Sequence, residues 1–358
     1  MKKGAIILLS FMISLAIIAF FTTKNLSNSP PVNLEECHTL VYNGEGKANI
    51  VFFSSEETIS SYKDSLFKVS PFKENPDAFN FYYINYKPQC EIYKGIALLC
   101  YSKETIKKAA SCPNDYIIVV EEQPSNIRSS SYMNVMSLNK NSNVNVFPHE
   151  FGHAFANLAD EYVPATVPKG SKNCQKSCDG FEGKGECVSG CSNSDYYRSV
   201  NSGIMRTLSS NVFGEFNEQL ILSRIRKLSG ITGNVIQNNI NCENQQYYLI
   251  TGEIVNNNIN PLSRSLETGC VGENGAGPYS YNLILEDGQI MKTSDFNPEM
   301  IFTDEENNTE ISGGPDTYTG SFLLRVPVIE NSKKIEIVNE NMKLEINLVD
   351  IGARPCEV

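Results

Sequence analysis

Between residues 48 and 120, short apolar runs alternate with stretches of helical period. Asn49-Ile50-Val51-Phe52-Phe53, Phe79 to Tyr86 and Tyr116 to Val120 are runs of strand length, rich in β-branched and aromatic residues. Between them lie two predicted helices, Glu56 to Val69, which Pro71 stops, and Ser102 to Ala110; Pro113-Asn114 then makes a turn. Such alternation predicts an α/β domain with a largely parallel sheet. A further helix is expected from about 146 to 157. Pro148 lacks an amide donor and is tolerated only in a first turn, which makes Asn145 the natural N-cap. Glu215 to Ser229 carries apolar residues at Phe216, Leu220, Ile221, Ile225 and Leu228, a helical period ending in Gly230 as a C′ residue.

The texture changes near residue 231. An Asn-rich stretch leads into strand-like runs at Tyr247 to Val255, Tyr281 to Leu285, Ser321 to Val328 and Lys334 to Leu348, with no segment of helical period. This predicts an all-β, immunoglobulin-like sandwich over 231–358, following an α/β domain over 37–230. Nothing in the β-rich part resembles a catalytic cluster. At the other end, Ala5 to Phe21 is apolar except for Ser10 and Ser14 and follows Lys2 and Lys3. Residues 1–22 therefore read as a signal anchor in preference to a cleaved signal peptide, with 23–36 as a linker. The lysines would keep the N-terminus inside and put the rest outside the cell membrane, or in the medium if the segment is cleaved.

Charge and cysteines narrow the setting. The formal net charge is −11 and no dense Lys/Arg cluster interrupts it, which argues against a nucleic-acid partner. Eleven cysteines fit export to an oxidising compartment, and the odd number leaves at least one outside an intramolecular pair. Cys174, Cys178, Cys187 and Cys191 form a C-x3-C-x8-C-x3-C array in the Gly- and Ser-rich stretch 163–200, which reads as a stapled loop. Its symmetry allows a nested pairing, though four cysteines permit three connectivities, and a structural zinc is the rival. Cys90, Cys100 and Cys112 are expected to pair locally or with Cys37; Cys242, Cys270 and Cys356 belong to the far end.

Candidate chemistry concentrates at His149-Glu150-Phe151-Gly152-His153, which holds two of the three histidines in the chain. Histidines four apart on a helix project from one face and can reach one metal ion, and the glutamate between them can take a proton from metal-bound water. Catalytic zinc takes three protein ligands and keeps a position for water. On an unbroken helix Asp160 would sit about 10 Å beyond His153, so the helix must end and the chain turn back. Asn157 is the candidate for the left-handed residue that makes this turn. Asp160 is then the first choice as third ligand, with Glu161 the alternative. His38 is a remote third possibility.

The stretch His149 to Tyr162, HEFGHAFANLADEY, resembles the signature of the IgA-peptidase family of zinc metallopeptidases, which reads close to HEFGHSFAGLADEY. The order of elements from Ala48 to Val120 is also similar. The resemblance covers residues 48 to about 230 and implies a zincin-like metalloendopeptidase domain, often followed by a β-rich one. Two departures stand out. Asn157 replaces the usual glycine, and Ser129-Ser130-Ser131-Tyr132 stands where a Gly-rich segment tends to precede the metal helix, which bears on substrate specificity. Met205, in Ser202-Gly203-Ile204-Met205-Arg206, resembles the methionine turn beneath the metal in metzincin-like peptidases, with a plain core methionine as the alternative. Tyr162 and Arg206 are candidates for stabilising the oxyanion.

The expected activity is hydrolysis of peptide bonds in extracellular proteins or peptides, with one catalytic Zn2+, a metal-bound water and Glu150 as general base. The rival from another class is a membrane-tethered binding protein on an inactive zincin fold.

Overall fold

The structure is a computed structural model that describes residues 34–230, 241–255, 258–307, 310–313, 315–318 and 321–348. The expected anchor, nearly all of the linker and Cys356 lie outside the described residues. From Leu34 onward the chain forms one compact unit.

Strands β1 (Cys37–Val41), β2 (Ala48–Phe53) and β3 (Phe79–Ile84) are followed by a small hairpin of β4 (Glu91–Tyr93) and β5 (Ala97–Leu99). Then come β6 (Tyr116–Glu121), β7 (Ser130–Tyr132) and β8 (Val135–Asn139). Helices α1 (Glu56–Leu66), α2 (Lys103–Ala109), α3 (Val146–Ala156) and α4 (Glu215–Gly230) complete the α/β part, so Gly230 is the last helical residue where a C′ position was expected. Only the centre of the sheet is parallel: β2 runs parallel to β3 and β6, and β6 to β8. β1 lies antiparallel on β3, and β7 antiparallel on β8. The expectation of a largely parallel sheet thus gives way to a mixed one. The reason at β7 is the connection, since Met133-Asn134, with Met133 at φ 55°, is too short for anything but a hairpin.

The central strands read as unbroken apolar runs because both faces are covered. Ile50, Phe52, Phe79, Phe81, Tyr116 and Ile118 pack under α1, α3 and α4 in one core. Val51, Phe53, Tyr82, Ile84, Ile117 and Val119 face α2 and the β-rich part in the other.

The stretch 163–200 contains a hairpin that the sequence did not announce, β9 (Val188–Cys191) with β10 (Asn193–Arg198). Cys174–Cys191 and Cys178–Cys187 staple it in the nested arrangement. The remaining bonds join Cys37 to Cys112, Cys90 to Cys100 and Cys242 to Cys270. Five disulfides among the described residues are what an oxidising, extracytoplasmic setting sustains.

Beyond residue 240 the strands are β11 (Gln246–Val255), β12 (Asn258–Thr268), β13 (Tyr279–Leu285), β14 (Ile290–Phe296), β15 (Met300–Phe302), β16 (Asp304–Asn307), β17 (Glu310–Gly313), β18 (Asp316–Thr317), β19 (Ser321–Pro327), β20 (Ser332–Asn339) and β21 (Met342–Asn347). Two antiparallel sheets, β12-β11-β19 and β14-β13-β20-β21, account for most of them, and the expected run Lys334 to Leu348 divides into β20 and β21 around a turn. One strand does something else. β15 leaves the β-rich part and pairs with β7, extending the α/β sheet to the order β1-β3-β2-β6-β8-β7-β15-β18.

Candidate metal centre

Two stripes on α3 explain its orientation. Phe147, Phe151 and Phe155 recur every four residues and interlock with Phe72, Phe79 and Tyr116, at centroid distances such as 5.4 Å for Phe72–Phe151. His149 and His153 stand two positions from these rings, about 200° around the helix, so burying the aromatic stripe turns both imidazoles the other way. Asn145 flanks the helix as expected but does not cap it with its side chain, which donates to the Leu208 carbonyl instead (2.8 Å).

The helix ends at Asn157, in the left-handed region at φ 50° and ψ 40°. The turn brings the chain back, and Asp160 arrives beside the histidines. Nε2 of His149 and Nε2 of His153 lie 3.1 Å apart, and Oδ1 of Asp160 lies 3.4 and 3.3 Å from them. His149, His153 and Asp160 form a buried group that could hold a metal ion.

Each histidine is fixed by its other nitrogen. Nδ1 of His149 faces the Ile204 carbonyl at 2.9 Å, and Nδ1 of His153 the Leu158 carbonyl at 2.6 Å. A carbonyl only accepts, so Nδ1 carries the proton and a neutral ring directs its lone pair from Nε2 toward Asp160. The carboxylate oxygens of Asp160 are buried and accept no hydrogen bond among the described residues. Glu150, between the histidines, is also fully buried.

The stapled loop holds Asp160 in place. Asn173 clamps the neighbouring Ala159 from both sides, accepting from its amide at 2.7 Å and donating to its carbonyl at 2.8 Å. Ser192 donates to the Asp160 carbonyl (2.6 Å), and Ala159 packs against the Cys174–Cys191 bridge. Asn173 and Ser192 carried no signal in the sequence beyond lying in a cysteine-rich stretch. With all four cysteines of the array in disulfides, no thiolate remains there for a structural zinc.

Glu161 turns elsewhere and is not part of the group. Its Oε1 accepts from Asn217 (2.7 Å) and Asn173 (3.3 Å). Burial raises its pKa to about 7, against the opposing pull of those amides and of Arg198 and Arg206. Arg206 and Glu161 line a cavity of about 390 Å3 whose lining includes none of His149, Glu150, His153 or Asp160. Tyr162 is buried, and His38 sits on β1 stacked on Tyr83, away from the group.

Met205 is fully buried beneath the helix. A Cβ added at Gly152 would lie 2.8 Å from its Sδ, so this glycine, unfavourable in a helix interior, admits the thioether between the two histidine positions. The same turn presents the Ile204 carbonyl to His149, and Met205 itself accepts from the Glu161 amide (2.8 Å). On the other side Phe302 of β15 stacks on the His153 ring, 3.9 Å between centroids and 16° between planes. No local pattern announces that contact, because the two residues lie 149 positions apart. No protein-family model matches this chain, and no curated protein matches it in sequence.

Proposed function

We propose that this protein is a zinc-dependent endopeptidase of the IgA-peptidase kind, with a zincin-like α/β part followed by an immunoglobulin-like β-sandwich and an N-terminal membrane anchor. One observation carries the reading: the triangle formed by the two Nε2 atoms and Asp160 Oδ1, with sides of 3.1, 3.3 and 3.4 Å. Donors arranged tetrahedrally about 2.0–2.1 Å from a zinc ion stand about 3.3 Å apart. Two neutral imidazoles and one carboxylate are a donor set that catalytic zinc uses, and the carbonyls behind the histidines supply the outer support such ligands need. Zinc held there would acidify a water and polarise the scissile carbonyl.

The chain's own residues do the rest. Glu150 accepts the proton of the attacking water and returns it to the leaving amine, which frees the new N-terminus. Its burial keeps bulk water from competing for that proton. Met205 and Gly152 hold the helix face at a fixed depth, and Ile204 and Leu158 hold the two rings in one tautomer. Asp160 supplies the negative charge that two neutral histidines lack.

The test is Glu150→Gln, which keeps size and helix propensity but removes the proton acceptor. Zinc content should be unchanged, and cleavage of a proteome-derived peptide library should fall by about two orders of magnitude or more. Equal cleavage by both proteins would refute Glu150 as the base. No cleavage by either protein, once each is metal-loaded and Phe302 has been replaced, would favour the tethered-binder reading.

A further inference from the structure

The α/β sheet should end at β7. Its edge is instead occupied by three residues from a distant part of the chain. Ile301 pairs with Tyr132 and Phe302 with Ser131, antiparallel, which places the Phe302 ring flat against His153. His149, Glu150 and Asp160 have no exposed surface and His153 only 1%. A peptide carbonyl must come within about 3–3.5 Å of the reacting groups. A ring stacked at 3.9 Å fills that space on the His153 side.

The segment is fastened at both ends. Asn297 donates to Asn157 Oδ1 (3.3 Å), at the turn that delivers Asp160, and the Tyr132 hydroxyl donates to the Pro298 carbonyl (3.1 Å). The Glu299 carbonyl accepts from the Tyr318 amide (2.8 Å), and Arg128 reaches the Thr303 carbonyl (3.5 Å). The hold is nevertheless short. β15 shares two registered pairs with β7 and two with β18, whereas β11 shares ten with β12 alone. Local opening draws on the least connected elements, and a three-residue strand with two pairs on either side is among them.

We propose that β15 is a built-in plug: it takes the place of an extended peptide along β7, covers the His149/His153/Asp160 group with Phe302, and keeps the protein latent until it is displaced. The identity of the displacing ligand, an extended peptide that adds as a strand on β7, rests on the peptidase reading. The covering of the histidines does not.

Diethyl pyrocarbonate acylates accessible imidazole nitrogens, and the chain carries its own reference in His38, whose side chain is 33% exposed. The full-length protein is stripped of metal with a chelator and labelled, and each histidine is followed by peptide mass spectrometry. In the parent, His149 and His153 should label far more slowly than His38. Phe302→Ala should speed both by about tenfold or more while His38 is unchanged. Tyr132→Phe removes one fastening without touching the ring and should speed them by a smaller factor; it carries the test if Phe302→Ala does not fold. Parent labelling of His149 and His153 at the His38 rate, or no acceleration in a folded variant, would overturn the plug. Because labelling is read on metal-free protein, absence of zinc from the parent sinks the metal reading and leaves this result to stand separately.

Discussion

The molecule buries carboxylates in two places and treats them differently. Where the β-rich part meets the sheet, Glu273 is 2% exposed, and Lys292 donates to it at 2.6 Å, Ser294 at 2.9 Å and Arg224 at 3.5 Å. Asp115 beside it accepts from the Asn49 amide (2.7 Å) and the Glu273 amide (2.9 Å), and fully buried Arg325 donates to the Glu273 carbonyl (2.8 Å). This cluster brings its own cations. Asp160, equally buried, has two histidines beside it and no hydrogen-bond donor among the described residues. Burial of an ionised carboxylate is costly unless it is paired or coordinates a metal. The first arrangement fastens two parts of the chain together; on our reading the second takes its positive charge from a bound ion.

That contrast can be broken at either end. The largest effect is expected at the self-sufficient cluster. Glu273→Gln leaves Lys292 and Arg224 without their carboxylate and should cost about 3–5 kcal/mol in a denaturant titration, with or without zinc. Burial pushes the Glu273 carboxyl up, but Lys292 and Arg224 outweigh it and hold it below its ordinary 4.5. A depressed carboxylate contributes stability that is complete above the unfolded value and is lost as pH falls through the folded one. The gap between parent and variant should therefore be widest above about pH 4.5 and narrow in more acidic buffer. A gap that widened on acidification would contradict the pairing.

The next effect belongs to the other cluster. Zinc at about 100 times its dissociation constant should stabilise the parent by about 2.7 kcal/mol, read as a thermal shift, and Asp160→Asn should lose most of that shift. In metal-free protein the same substitution should cost no stability and should raise it, since it removes a buried carboxylate that accepts no hydrogen bond among the described residues. A metal-free loss as large as that of Glu273→Gln would erase the distinction between the clusters. The smallest effect is expected at the turn between the histidines and Asp160. Asn157→Gly relieves the left-handed backbone, worth about 1–2 kcal/mol, but gives up the side-chain bonds to Lys169 and Asn297. Its net change should stay within about 1 kcal/mol with zinc affinity retained; a large loss of affinity would mean that those bonds, and not the backbone turn, position Asp160.

The histidine-bearing helix was legible in the sequence because its information is local. The His–Glu–x–x–His spacing sets one face, Pro148 bounds the start, and Asn157 marks a left-handed end that only a few residue types tolerate. The strands were legible through their apolar runs. What the chain did not disclose is long-range pairing. Ser130 to Tyr132 is a three-residue edge with no apolar period, and β15 reads as an ordinary fragment of a β-rich region. Neither carries a local mark of the other, and so the sheet's extension and the stacking of Phe302 on His153 were hidden. The roles of Asn173 and Ser192 were hidden for the same reason: their function is to hold Ala159 and Asp160, and only the folded loop brings them there.

The central claim is that the buried donor triangle exists to hold zinc, and elemental analysis tests it most directly. The purified full-length protein and a His149→Ala, His153→Ala variant would be dialysed against trace zinc and measured by mass spectrometry of the metal. The account predicts about one zinc per chain in the parent and essentially none in the variant, with both chains folded. Equal zinc in the two proteins, or none in the parent, would contradict it.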